Sequence, residues 1–138
     1  MNYLVDIKSE SNSNINVVGV LKDYANKSFK GTIDFKAGAK KAIGRVDEKV
    51  LLLSDDVKSR SLPMLLCGEE DVTANHTLAV SNFDEDKLFY LMSRGYSYDE
   101  AISLVVRGFA NPISKSFPVE YAVEMNRLIN LELEGSIG

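Results

Sequence analysis

The spacing of apolar residues changes period once along this 138-residue chain, near residue 83, so the two halves must bury their apolar faces by different geometries. Upstream, Phe29, Ile33 and Phe35 alternate with Lys30, Thr32 and Asp34, which is the two-residue period of a strand. Similar short runs occupy residues 3–7, 15–21, 50–53, 63–67 and 77–80. Turn-forming groups separate them, among them Ser11-Asn12-Ser13-Asn14, Lys36-Ala37-Gly38 and Ser54-Asp55-Asp56. Val17, Val18, Val20 and Leu21, like Leu51 to Leu53, put apolar side chains on both faces, which predicts strands covered on both sides, with one face available to another molecule. The chain has no Asn-Gly or Asp-Gly pair, which disfavours a meander of tight hairpins. An antiparallel sandwich and stacked rungs of a parallel β-helix both fit the spacing.

From residue 83 the period is helical. Asp84 is placed as an N-cap with Glu85 and Asp86 in the first turn; Leu88, Leu91 and Met92 form the expected buried stripe, and Gly95 fits the C′ position. Ser97 opens a capping box with Glu100, and Ala101, Leu104 and Val105 line one face of a second helix until Gly108. After Asn111-Pro112, Pro118 suits the first position of a final helix, in which Ala122, Met125, Ile129 and Leu133 recur at helical spacing. The expected organisation is therefore a β segment, 1–82, followed by a helical segment, 83–138.

Composition narrows the chemistry. Residues 1–80 hold 11 Lys or Arg against 11 Asp or Glu, whereas residues 81–138 hold 5 against 9 and supply the whole net charge of −4. Nucleic-acid affinity asks for clustered cations, so no nucleic-acid partner is expected. No apolar run approaches the roughly 18 to 20 residues of a membrane span, and Met1 to Asp6 lacks the features of an export signal; the cytoplasm is the expected compartment. With Cys67 as the only cysteine, neither an internal disulfide nor a four-cysteine cluster is possible within one chain. There is neither a Gly-x-x-x-x-Gly-Lys-Ser/Thr run nor a Gly-x-Ser-x-Gly elbow, so ATP hydrolysis would belong to a partner and an enzyme is not expected.

Taken singly, the candidate residues have bland readings. Cys67 follows the apolar run Pro63 to Leu66 and reads as a buried small hydrophobe. His76 reads as a structural histidine at a strand end. Asp55-Asp56, Glu69-Glu70-Asp71 and Lys40-Lys41 read as solvated charge, and Phe89 and Tyr90 as packing residues beside the helical stripe.

The run Leu88-Phe89-Tyr90-Leu91-Met92-Ser93-Arg94-Gly95, with Asp99-Glu100-Ala101 and Gly108-Phe109, resembles the C-terminal region of the SufB/SufD family of iron–sulfur cluster assembly proteins. Gly31-Thr32-Ile33, Leu51 to Asp56, Leu62-Pro63 and Asp71 to His76 resemble successive pieces of the same family's core, and Leu131 to Gly138 is similar to its ending. The resemblance implies a right-handed parallel β-helix followed by a small helical domain, mainly β with α. It implies a non-catalytic, SufD-like scaffold component that pairs as a dimer through its β-helix, with a SufB/SufD-like chain or with itself. It also implies that the C-terminal helices bind a SufC-like ATPase. His76 matches the family's functional histidine, a possible iron–sulfur ligand and iron-binding residue. Cys67 matches a cysteine found in some members. Any cluster would be transient and shared with the second chain, since His76 and Cys67 fall short of the roughly four ligands a cluster takes. The sequence departs from the family in having Ala74 where a cysteine is common, Asn75 and Thr77 in place of flanking glutamates, and Glu48 near the position of the essential SufB cysteine. Those departures leave a second expectation open: a degenerate β-helix interaction module without cluster chemistry.

Overall fold

A computed structural model of the chain describes residues 1–135 and divides it into two compact units, the first Met1–Asn82 and the second from Phe83 onward. Residues 136–138, the close of the family-like ending, lie outside the described residues.

The first unit holds six strands: β1 (Asn2–Ile7), β2 (Asn12–Leu21), β3 (Asn26–Phe35), β4 (Ala42–Leu52), β5 (Lys58–Cys67) and β6 (Val72–Asn82). Every pairing is parallel, and the odd and even strands separate into two sheets, ordered β1-β3-β5 and β2-β4-β6. The chain thus crosses from one sheet to the other at each connection and returns one strand further along, so two consecutive strands make a rung. Parallel pairs cannot be joined by a two-residue turn, which accounts for the missing hairpin signals. All six expected strands exist, but β4 begins at Ala42 rather than Val50 and β6 at Val72 rather than Thr77; Asn12 to Asn14 are strand, not turn. These extensions escape pattern reading because their interior positions include Gly44, Glu48 and His76, none of which looks like core.

The two sheets share one interior. Ile7, Phe29, Ile33, Phe35, Ala39, Ala42 and Val46 form its buried cluster, drawn from both sheets. Gly44 permits their close approach: a Cβ there would stand 2.6 Å from Phe35 Cζ and 3.0 Å from Ile33 Cγ2. Of the strands expected to be covered on both faces, β2 is half-buried from Val17 to Val20, while Leu51 of β4 is buried.

The second unit contains α1 (Glu85–Ser93), α2 (Tyr98–Ser114) and α3 (Val119–Gly135). Local signals are realised as expected: Asp84 accepts from the Lys87 backbone N–H, and Ser97 and Glu100 form a reciprocal capping box. Gly95, at φ 98°, closes α1 with N–H donation to Met92, and Tyr96 donates to Leu91. Pro118, expected at the first helical position, instead lies just before α3, and its carbonyl accepts from Ala122. The expected half-buried face of α3, Ala122, Met125, Ile129 and Leu133, is found.

Two helical expectations are corrected. α2 continues through Gly108 and Pro112 to Ser114 and buries Ala101, Val106, Ala110 and Ser114, so its inward face is rotated from the expected stripe and Leu104 is exposed. Pro112 lies near the C-terminal end, where loss of one N–H donor interrupts few remaining bonds. α1 buries none of its residues: Leu88 and Leu91 are half-buried, and Met92 is exposed.

Candidate functional site

The third rung, β5 and β6, carries both residues singled out by the sequence. His76 sits inside β6, not at its end, and pairs in register with Val46 of β4, which in turn pairs with Ile15 of β2. In-register parallel partners share a face, so His76 continues a stack whose middle member is wholly buried. The residue is half-buried and its Nε2 is shielded without a hydrogen-bond partner. A neutral imidazole nitrogen in that position is a free σ-donor or acceptor.

Cys67 ends β5 in register with Phe35 and, beyond it, Ile7, and so belongs to the opposite sheet of the same rung. Its residue is exposed, against the expected burial, on an edge strand with a neighbour on one side only. The rung has an unusual surface for its position. Leu65 is 36% exposed, Leu78 46% and Val80 51%, although their register partners Ile33, Glu48 and Val50 are fully buried.

Glu48 proves to be interior. It is 0% exposed and accepts from Lys27 Nζ through Oε1 and from Ser61 Oγ through Oε2. Sequence reasoning placed Glu48 near a functional family position but missed Lys27 and Ser61; only the folding of β3 and β5 against β4 brings them together. No group of three or more His, Cys, Asp or Glu residues poised for a metal occurs among the described residues. His76 and Cys67 therefore offer one nitrogen and one sulfur, and a four-ligand cluster would need further donors from elsewhere.

The charged turns behave differently from one another. Asp55 and Asp56 are exposed, as are Lys40 and Lys41. Glu69 is tied: its Oε2 accepts from the Gly38 N–H at 3.2 Å, and that bond holds its carboxyl below the usual range. In the helical unit Phe89 and Tyr90 are 75% and 56% exposed, so they do not pack as expected. Arg94 lies over the Tyr90 ring at 5.1 Å, a cation–π contact. A groove of about 310 Å³ lies between α2 and α3, lined by Asp99, Glu100 and Arg107 together with Asn130, whose Oδ1 is buried without a partner. Among the described residues no helix is long and apolar enough to cross a membrane.

The chain is thus a mixed protein, with parallel strands in two sheets followed by three helices. The sequence model described as "SUF system FeS cluster assembly, SufBD core domain" matches residues 2–109. The chain belongs to the SufBD family. It is 40% identical over 135 residues to an iron–sulfur cluster assembly SufBD family protein of Mycobacterium leprae, and 39% identical over the same length to one of Mycobacterium tuberculosis. Each match takes in 98% of this chain and 16% of the relative. A Staphylococcus saprophyticus relative is 40% identical over 119 residues, 86% of this chain and 26% of its own length. The chain thus spans about a sixth to a quarter of the length of these relatives.

Proposed function

We propose that this chain acts in SUF-type iron–sulfur cluster assembly as a non-catalytic, SufD-like scaffold, its first unit a length of right-handed parallel β-helix. The third rung is the surface that pairs with a SufB/SufD-type chain or a second copy. His76 is the ligand it contributes to a nascent cluster held as cargo between the two chains, and Cys67 is the nearest thiol. The helices α1 to α3, with exposed Phe89 and Tyr90 and the acidic surplus of this half, receive a SufC-type ATPase. The observation that carries this reading is the shielded, unpartnered Nε2 of His76 on a rung whose inward apolar residues stand exposed. Edge strands of that kind are templates for pairing with another chain.

Anaerobic reconstitution with iron and sulfide tests it, run with and without a SufB-type partner and a SufC-type ATPase. Cluster absorbance is expected only with the second chain present and is expected to fall severalfold in His76→Ala, the loss of one ligand being costly. Absence of any complex, or a cluster signal indifferent to His76→Ala, would sink the assembly reading. The second reading, a pairing module without cluster chemistry, draws on Glu48: its carboxylate is committed to Lys27 and Ser61 and is not offered as a ligand. Normal pairing and ATPase binding with no effect on iron content would select it.

A further inference from the structure

Among the described residues the buried charged side chains of the β unit are Lys27, 7% exposed, and Glu48, 0% exposed, and they meet each other. Lys27 lies on β3 in the middle of one sheet, Glu48 on β4 in the middle of the other. The Lys27 stem passes Gly19, where a Cβ would stand 3.2 Å from its Cδ and 3.3 Å from its Cε, and its ammonium lies 5.4 Å from the centre of the Phe29 ring. The second carboxylate oxygen of Glu48 is not spent within its rung. It accepts from Ser61 on β5, so one side chain spans both sheets and two successive rungs.

That geometry has a consequence for the third rung. The second rung is held by buried apolar contact on both sides, whereas β5 and β6 have a strand neighbour on one side and expose much of their inward apolar surface. A hydrogen bond to a charged, fully buried acceptor is among the stronger single contacts a hydroxyl makes. We propose that Glu48, charged and oriented by Lys27, is a latch that positions β5 through Ser61, holding in place an edge which apolar packing alone leaves loose. Glu48 is thus a positioning residue rather than a ligand. Its functional meaning, that the latch sets the edge offered to a second chain, rests on the pairing reading above; the latch itself does not.

Hydrogen exchange of the full chain, without partner or iron, tests it separately from that reading. Ser61→Ala is expected to speed exchange of the β5 amides about tenfold while leaving those of β3 within about twofold, since local opening is governed by local contacts. Ser61→Thr, which keeps the hydroxyl, is expected to restore protection. The double variant Lys27→Met with Glu48→Leu fills the interior without charge; it is expected to unfold near the parent's midpoint yet exchange β5 as fast as Ser61→Ala. Unchanged β5 exchange in Ser61→Ala, an equal rise in β3, or full β5 protection in the double variant would each overturn the latch.

Discussion

The second and third rungs of the β unit are built from strands of nearly equal length in the same two sheets, yet their interiors differ. Ile33, Val46 and Val50 in the second rung are wholly buried, while Leu65, His76 and Val80, stacked on them in register, are partly exposed. Position and composition both differ: the second rung carries Phe29 and Phe35 where the third carries Ser61 and Cys67. A middle strand has a neighbour on each side, and an edge strand has one. The apolar residues of the second rung are enclosed, whereas the inward apolar residues Leu65, Leu78 and Val80 of the third meet solvent.

Truncations of apolar residues separate the two rungs most. Phe35→Ala in the second rung is expected to cost about 3 to 5 kcal/mol, and Leu65→Ala in the third under about 1, because only the former leaves an enclosed cavity. Urea denaturation of both variants checks this; equal costs would mean that the third rung is packed as tightly as the second. Overfilling gives the converse test. Gly44→Ala places a Cβ 2.6 Å from Phe35 Cζ and is expected to destabilise by about 1 to 3 kcal/mol, read from the same midpoints. A neutral result would mean that the second rung has slack.

The smallest effect concerns pH. Glu69, in the turn entering β6, accepts from Gly38 in the turn between β3 and β4, so it joins the two rungs from outside. Its folded carboxyl is held below the ordinary value of 4.5, chiefly by that bond. The contribution is therefore present above 4.5 and is lost as pH falls through the lower folded value. The Gly38 amide proton shift should move with an inflection below pH 4.5 and be flat in Glu69→Gln. An inflection that survives the substitution would assign the titration to another group.

Much of this was legible beforehand, for reasons that differ by region. Helix ends are written locally: Asp84, Gly95 and the Ser97–Glu100 box each act within four residues, and all behave as their sequence spacing predicts. The reach of α2 was not, since Gly108 and Pro112 are statistical breakers that an otherwise continuous helix tolerates. All six strands announced themselves, but their starts did not, because Gly44, Glu48 and His76 occupy inward positions that only the opposing sheet explains. The exposure of Cys67 was likewise invisible, as burial on an edge depends on what lies beside it.

Local patterns in the chain set the change of period near residue 83, the number and kind of elements, the helix caps and the family resemblance. The meeting of distant strands sets which sheet each strand joins and in what register, the contact of Glu48 with Lys27 and Ser61, and the place of His76 on the third rung with Nε2 unpartnered. The physical reason is range. Caps and periodicity are set by neighbours a few residues away, whereas parallel pairing joins residues about thirty apart, as Val46 with His76, and a side chain's surroundings are fixed only when those distant strands meet.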